Sequence, residues 1–336
     1  MTNKSLLVKD LGEHGLLARL QRFCPVDVVG DDGAILATDP HKSLVVTTDV
    51  LVDEVHFSDR TTSAYDVGWR AAAANLSDLA AMGATPLGIT VGLAVPGDKK
   101  VDWIEEMYRG IDACLNIHPA YPTPLVGGDI CRSTVASIAI TAFGEVDPSR
   151  AIRRSTAQPG DAIAITGWHG LSRGGLALLL DPSLGTKLTA DTRSKLIKAH
   201  QRPQPRLDVL PYLAQIPAEI AIAGMDSSDG LADAIRQICH CSGVGATIER
   251  SNLTIFSGLV ELAGQQTAWE WLLDGGEDFE LVLCLPKDCA AWLIEQLGDN
   301  AAIIGKITRD RELKVVGDRI ERTTEILNIS KGFQHF

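Results

Sequence analysis

The chain has 336 residues, enough for two domains of ordinary size, and its 43 Asp and Glu against 31 Lys and Arg leave a net charge of -12 at pH 7. A composition of 45% hydrophobic and 22% charged residues excludes the disordered, collagen-like and disulfide-scaffold classes. The acidic balance excludes a general nucleic-acid or anionic-membrane binder, since neutralising many phosphates requires a basic face, so no nucleic acid and no membrane is expected as a partner.

In chain order, leucines and Phe at helical spacing predict an opening helix over Glu13–Phe23. Two β-branched stretches, Ala34–Thr38 and Ser43–Asp49, read as strands on either side of a proline turn. Ser63–Met82 is alanine-rich, with Trp69, Ala73, Leu76 and Ala80 recurring at three and four, Ser63 as cap and Gly83 as stop. Leu87–Val95 reads as a strand, Val101–Leu115 as an amphipathic helix and Ser133–Val146 as a long strand or a pair. The basic, breaker-rich stretch Asp147–Gly160 then predicts a domain joint, dividing the chain into 1–150 and 151–336. Beyond it come a strand at Ala162–Thr166, a helix at Arg173–Leu180, a strand at Ile220–Met225 and a helix at Gly230–His240. Strands at Phe279–Leu285 and Ala301–Ile307 flank one more helix. Both halves mix the two element types, so the class is α/β or α+β.

The seven cysteines include no C-x-x-C pair and read as reduced thiols. Charges interrupt the first twenty residues, and no apolar run is long enough to span a bilayer, so a cytoplasmic location is expected.

The informative feature is a set of acids placed where acids are costly. Asp31 and Asp32 lie in a Gly-flanked turn, Asp49 ends a strand, and Asp78 falls inside the alanine-rich helix. Asp129 follows two glycines, while Asp226 and Asp229 bracket two serines before a helix. Buried carboxylates demand protons, basic partners or metal, and few Lys or Arg lie near these in sequence. Hard oxygens suit Mg²⁺, which takes one or two carboxylates per ion together with phosphate and water. Five or six acids therefore point to several ions holding a nucleotide. Taken singly, each has a plain alternative: Asp-Gly as a hairpin turn, Asp49 and Asp129 as strand-end turns, Asp226-Ser-Ser-Asp229 as a helix cap.

Two motifs compete. Gly170-Leu-Ser172-Arg-Gly174 matches the G-x-S-x-G of a nucleophile elbow, with His200, His240 or His335 available as a base. However, three residues separate its strand from the motif, so a serine hydrolase using Ser172 is the minor alternative. Gly275-Gly-Glu277-Asp278-Phe279 has the acids in the wrong order for a cyclase turn. Neither a P-loop nor a G-x-G-x-x-G follows a strand.

The ordered set GDDGA, TTDVLVDEVHF, NLSDLAAMGATP, GGD, DSSDGL and GGEDFEL resembles the thiamine-monophosphate kinase family, within the aminoimidazole ribonucleotide synthetase-like ATP-binding superfamily. The resemblance implies an N-terminal domain contributing strands to a dimer-spanning barrel and a C-terminal α/β domain closing the active site. It implies a homodimer that transfers the ATP γ-phosphoryl group to thiamine phosphate. By position it implies Asp32, Thr47, Thr48, Asp49, Asp78, Asp129, Asp226 and Asp229 as Mg²⁺ ligands. It further implies Tyr108, Gly128, Asp129, Arg154 and Ser228 at ATP, and His56, Glu277 and Phe333 at thiamine phosphate. Another activity of the same superfamily, of the aminoimidazole ribonucleotide synthetase type, is the nearer alternative. Leu171 stands where the family carries an acid, which puts a nucleotide role for the Thr166–Ser172 turn in question. The acceptor, a phosphate monoester with a second pKa of about 6, is already an oxyanion at neutral pH. No general base is therefore expected, and the transfer should be direct and in line.

Overall fold

A computed structural model of the chain describes residues 6–25, 33–298 and 300–317 and the backbone of 324–326. The chain divides into two compact units, one formed by residues 1–79 and 85–145, the other by 80–84 and 146–336.

The first unit contains α1 (Val8–Leu20), β1 (Ser43–Val52), α2 (Ala64–Ala81), β2 (Thr85–Val95), α3 (Val101–Leu115), β3 (Leu125–Arg132) and β4 (Ser137–Val146). Its sheet runs β1-β4-β2-β3, antiparallel between β2 and β4 and parallel between β2 and β3. Strand alternation on β1 turns Val45, Thr47, Asp49 and Leu51 inward, and leaves Leu44, Val46, Thr48 and Val50 on an open face. Leu76, Leu79, Ile89, Leu93, Ile104, Met107, Ile138 and Ile140 make up the core. The helices α2 and α3 cross backbone to backbone: a Cβ on Gly68 would lie 1.8 Å from the Met107 carbonyl oxygen, and one on Gly110 1.8 Å from that of Tyr65. Only glycine permits that approach.

The second unit contains β5 (Ala162–Ile165), α4 (Leu171–Leu180), α5 (Ala190–Gln201), α6 (Leu210–Leu213), β6 (Ala223–Asp226), α7 (Leu231–Ser242) and β7 (Gly245–Glu249). It continues with α8 (Ser257–Ala263), α9 (Gln265–Asp274), β8 (Leu281–Leu285), α10 (Lys287–Leu297), β9 (Ala302–Thr308), β10 (Leu313–Val316) and β11 (Thr324–Ile326). The mixed sheet runs β11-β10-β7-β9-β5-β8-β6. Strands β5 and β8 are buried along their full length, which explains their continuous apolar sequences. One core packs α7 and α9 on this sheet, and a second, smaller one gathers Leu171, Leu178, Leu196, Leu259, Leu262 and Ala268.

The structure departs from the periodicity in places. Ala34–Thr38 is not a strand: Ile35 is 96% exposed and pairs with nothing, so β propensity alone does not order it. The opening helix starts earlier, at Val8, and bends at Gly12, whose φ of 74° lies in the left-handed region. Strand β3 forms across Gly127-Gly128, where the pattern gives no strand signal. Among the described residues no helix is long and apolar enough to cross a membrane.

Candidate active site

In the first unit the alanine-rich helix explains its own polar residues. Asn75 and Asp78 are three apart and therefore share the face of α2 that meets β1. Asn75 accepts the Asp49 backbone N–H through Oδ1 at 3.3 Å and donates through Nδ2 to the Ala71 carbonyl at 3.0 Å. Asp78 accepts the hydroxyl hydrogen of Thr47. The sequence thus brings Thr47, Asp49 and Asp78 to one junction of strand and helix, with Leu76 and Leu79 turned into the core beside them. Thr48 points the other way and meets Thr141 at 2.9 Å on the open face. Thr141 pairs with Thr90, and Thr90 with Gly127, so alternation places Asp129 on that same face, on edge strand β3 and opposite Gly92. Gly128 lies hard against β2, where a Cβ would come 2.2 Å from the Val91 carbonyl oxygen.

His56 occupies the turn that follows β1. Its Nδ1 accepts the Val52 N–H at 3.0 Å, which leaves the proton of the neutral ring on Nε2. Glu54, in the same turn, has a φ of 64°, the strained conformation often kept at ligand sites. Tyr108 is buried against Phe23, ring centroids 5.6 Å apart, and burial raises its hydroxyl pKa above the ordinary value. Asp32 and Phe333 lie outside the described residues.

In the second unit Asp226 ends β6 in full burial, and the Ser228 hydroxyl donates to its Oδ1 at 3.0 Å. Two amides hold the turn against the loop 275–280, and a third closes the turn on itself. Ser227 N–H donates to the Glu280 carbonyl at 2.8 Å, Glu277 N–H to the Ser228 carbonyl at 2.7 Å, and Gly230 N–H to the Ser227 carbonyl at 3.1 Å. A Cβ on Gly276 would stand 2.6 Å from the Ser228 oxygen, which accounts for a glycine there. The same tight approach puts Glu277 and Phe279 at φ of 65° and 54°. Asp229 closes this turn before α7. Arg154 reaches Gln237 of α7 at 2.7 Å.

Ser172 is not a nucleophile elbow. Its hydroxyl is buried, with 1% of the residue exposed, and sits 3.1 Å from His200 Nδ1, while Glu277 Oε2 faces that same nitrogen at 3.5 Å. A catalytic triad needs the nucleophile and the acid on different ring nitrogens. The amides an oxyanion would need are also taken, because Asp278 accepts Gly170 N–H at 2.6 Å and Ser172 N–H at 2.8 Å. The motif's glycine has a packing origin: a Cβ on Gly174 would strike Leu259, as one on Gly175 would strike the Leu196 backbone. Leu171, in place of the acid, fills the smaller core.

Three polar residues, two in this unit and Asn75 in the first, are not singled out as site residues by the sequence. Asp278 is raised to about 8 by its burial, against the two amides, with Glu280 and Glu277 adding to the rise. Arg206 lies between the Thr166 carbonyl, Glu280 and Asp208; burial opposes its charge, and the two carboxylates more than restore it. Asn75 could be found from its spacing to Asp78 alone.

The chain matches the family model described as AIR synthase related protein, N-terminal domain, over residues 30–146 and the C-terminal domain of the same family over 158–318. It is 52% identical to the thiamine-monophosphate kinase of Synechococcus elongatus, covering 100% of this chain and 99% of that one. The crystal structure of thiamine-monophosphate kinase from Stenotrophomonas maltophilia superposes with a TM-score of 0.77 at 34% identity, over 89% of this chain and 95% of the other. AaThiL complexed with AMPPCP and TMP gives 0.72 at 30% identity over 99% and 100%. With family models matching both halves and a relative 52% identical over the whole of this chain, the chain belongs to the AIR synthase related proteins, in the thiamine-monophosphate kinase family.

Proposed function

We propose that this protein phosphorylates thiamine phosphate to thiamine diphosphate with ATP as the phosphoryl donor. The observation that carries the reading is likeness along nearly the whole chain to AaThiL complexed with AMPPCP and TMP, with the acid-bearing motifs falling within the matched length.

The donor set fits Mg²⁺. All eight proposed ligands, Asp32, Thr47, Thr48, Asp49, Asp78, Asp129, Asp226 and Asp229, offer hard oxygens. Among the described residues no three acids, histidines or cysteines form a cage of their own, which suits an ion completed by phosphate and water. Among the described residues nothing lies within hydrogen-bond reach of Ser227 Oγ, a fully buried hydroxyl inside the Asp226–Asp229 turn. Such an orphaned group is most simply answered by a ligand. When bound, the metal would supply positive charge to set against the triphosphate and the acceptor.

The residues themselves select and orient. The backbone clamp of Asn75 on β1 fixes the stretch of the strand from which Thr47 and Asp49 project; Asp49 lies inside β1, which runs on to Val52, and does not end it. Arg154, Ser228, Gly128 and Tyr108 are assigned to ATP, with the guanidinium of Arg154 suited to phosphate oxygens. His56, holding its proton on Nε2, donates to the acceptor, and Glu277 and Phe333 contact the thiamine moiety. No side chain is needed as a base, because the acceptor oxygen is already ionised.

The enzyme works as a homodimer through the open face of the first unit's sheet, where Leu44, Val46 and Val50 are 54%, 53% and 48% exposed. It resides in the cytoplasm, in keeping with seven free thiols.

Purified protein given ATP, Mg²⁺ and thiamine phosphate should yield thiamine diphosphate and ADP, followed by chromatography. Asp78→Asn keeps the Thr47 contact in shape yet removes the charge, and should lower kcat/KM by about a hundredfold or more with the fold intact by circular dichroism. Turnover of formylglycinamidine ribonucleotide in place of thiamine phosphate would overturn the assignment.

A further inference from the structure

We propose that His200 is a positioning residue that holds the Glu277 carboxylate in place for thiamine phosphate. The inference rests on the reading above that Glu277 contacts that substrate.

Glu277 has a firmly fixed backbone and a side chain that needs fixing. Its φ of 65° and its N–H bond to the Ser228 carbonyl set the main chain, while its side chain is 36% exposed. A flexible carboxylate in water contributes little to orienting a ligand. His200, 2% exposed, brings Nδ1 to 3.5 Å from Glu277 Oε2 and to 3.1 Å from Ser172 Oγ. A proton on Nδ1 satisfies both contacts, since a carboxylate oxygen and a hydroxyl oxygen both accept. A Cβ on Gly175 would stand 3.0 Å from His200 Cβ and 2.1 Å from the Leu196 carbonyl oxygen, so α4 lies hard against α5 at the root of the His200 side chain. Ser172 is in turn held by its own amide on Asp278, the neighbour of Glu277 in sequence. The loop is thus tied at two successive side chains to one helix pair: Asp278 to the first turn of α4, and Glu277 through His200 to α5.

The test is steady-state kinetics of the full-length enzyme with both substrates varied. His200→Ala should raise KM for thiamine phosphate about tenfold and leave KM for ATP within about twofold. His200→Asn, whose amide can occupy the place of Nδ1, should recover most of the loss. On a Glu277→Gln background, His200→Ala should add less than about twofold, because the two act as one unit. Should His200→Ala fold poorly, Ser172→Ala removes the second anchor of the same Nδ1 and, by loosening the ring, should shift the same KM by about threefold in the same direction. Equal rises in both KM values, or effects that multiply with Glu277→Gln, overturn the proposal. An unaltered thiamine phosphate KM in Glu277→Gln removes the reading beneath it, whereas a raised KM there with none in His200→Ala and Ser172→Ala removes the positioning role alone.

Discussion

Asp278 and His169 stand near each other in the second unit and titrate in opposite senses. Burial lowers the His169 imidazole to about 4 and raises the Asp278 carboxyl to about 8. The unfolded chain protonates His169 near pH 6.5 while the folded one does not, so its contribution to stability is present above 6.5 and is lost as pH falls towards 4. Asp278 keeps its proton in the folded state, so its contribution is present at low pH and is lost as pH rises through about 8. The stability advantage of wild type over His169→Gln should therefore shrink by about 1.4 kcal/mol per unit as pH drops from 6.5 to 4. The advantage over Asp278→Asn should instead shrink as pH rises from the ordinary carboxyl value of 3.8 to about 8, and stay level above it. Urea unfolding followed by tryptophan fluorescence measures both, and a pH-independent difference for either variant would refute its assignment. Neither behaviour is legible in the sequence, because a shift comes from surroundings assembled across more than a hundred residues. Asp78, by contrast, is legible, because an acid on an apolar helix is anomalous locally, whereas Thr47 is reached only through the resemblance to the family.

Helices were easier to read than strands for the same reason. Alanine and leucine at three and four settle α2 without outside help, while β3 is built on two glycines and acquires its order only from β2 beside it. Ala34–Thr38 has the right residues and no neighbour to pair with. The crossing of α2 and α3 likewise depends on two glycines 42 positions apart whose need for each other appears only in three dimensions. Gly110→Ala drives a methyl group into the Tyr65 carbonyl and should destabilise the first unit by about 3 kcal/mol or more, lowering its urea midpoint. Ala substituted at Gly33, where an added Cβ meets nothing within 4 Å, should change the midpoint little. Equal midpoints for both variants would show that the helices can separate without cost.

The two compact units part between residues 145 and 146, and residues 80–84, which composition does not signal, belong with the second unit. There the Ile152 N–H donates to the Met82 carbonyl at 3.2 Å, and Gly83 lies against the Ile152 side chain. Exposed apolar residues on β1 are visible in the alternating sequence only after the inward face is known from Thr47. Val46→Lys, placed in the middle of that open face, tests the proposed homodimer: it should give a monomer by light scattering where the wild type gives a dimer, while leaving circular dichroism unchanged. A variant that remains dimeric would locate the subunit contact elsewhere.

The carboxyl of Asp278 has a consequence for where phosphate can go. Glycine-rich turns that open a helix commonly receive oxyanions, and Gly170 to Gly174 has that outline. Here the Gly170 and Ser172 amides are already answered by a group tethered to the same polypeptide, at an effective concentration of about millimolar or above. A soluble competitor would have to evict it. Crystals soaked in sulfate should therefore show no density at this helix end, and nucleotide analogues should leave the Gly170 and Ser172 amide resonances unmoved.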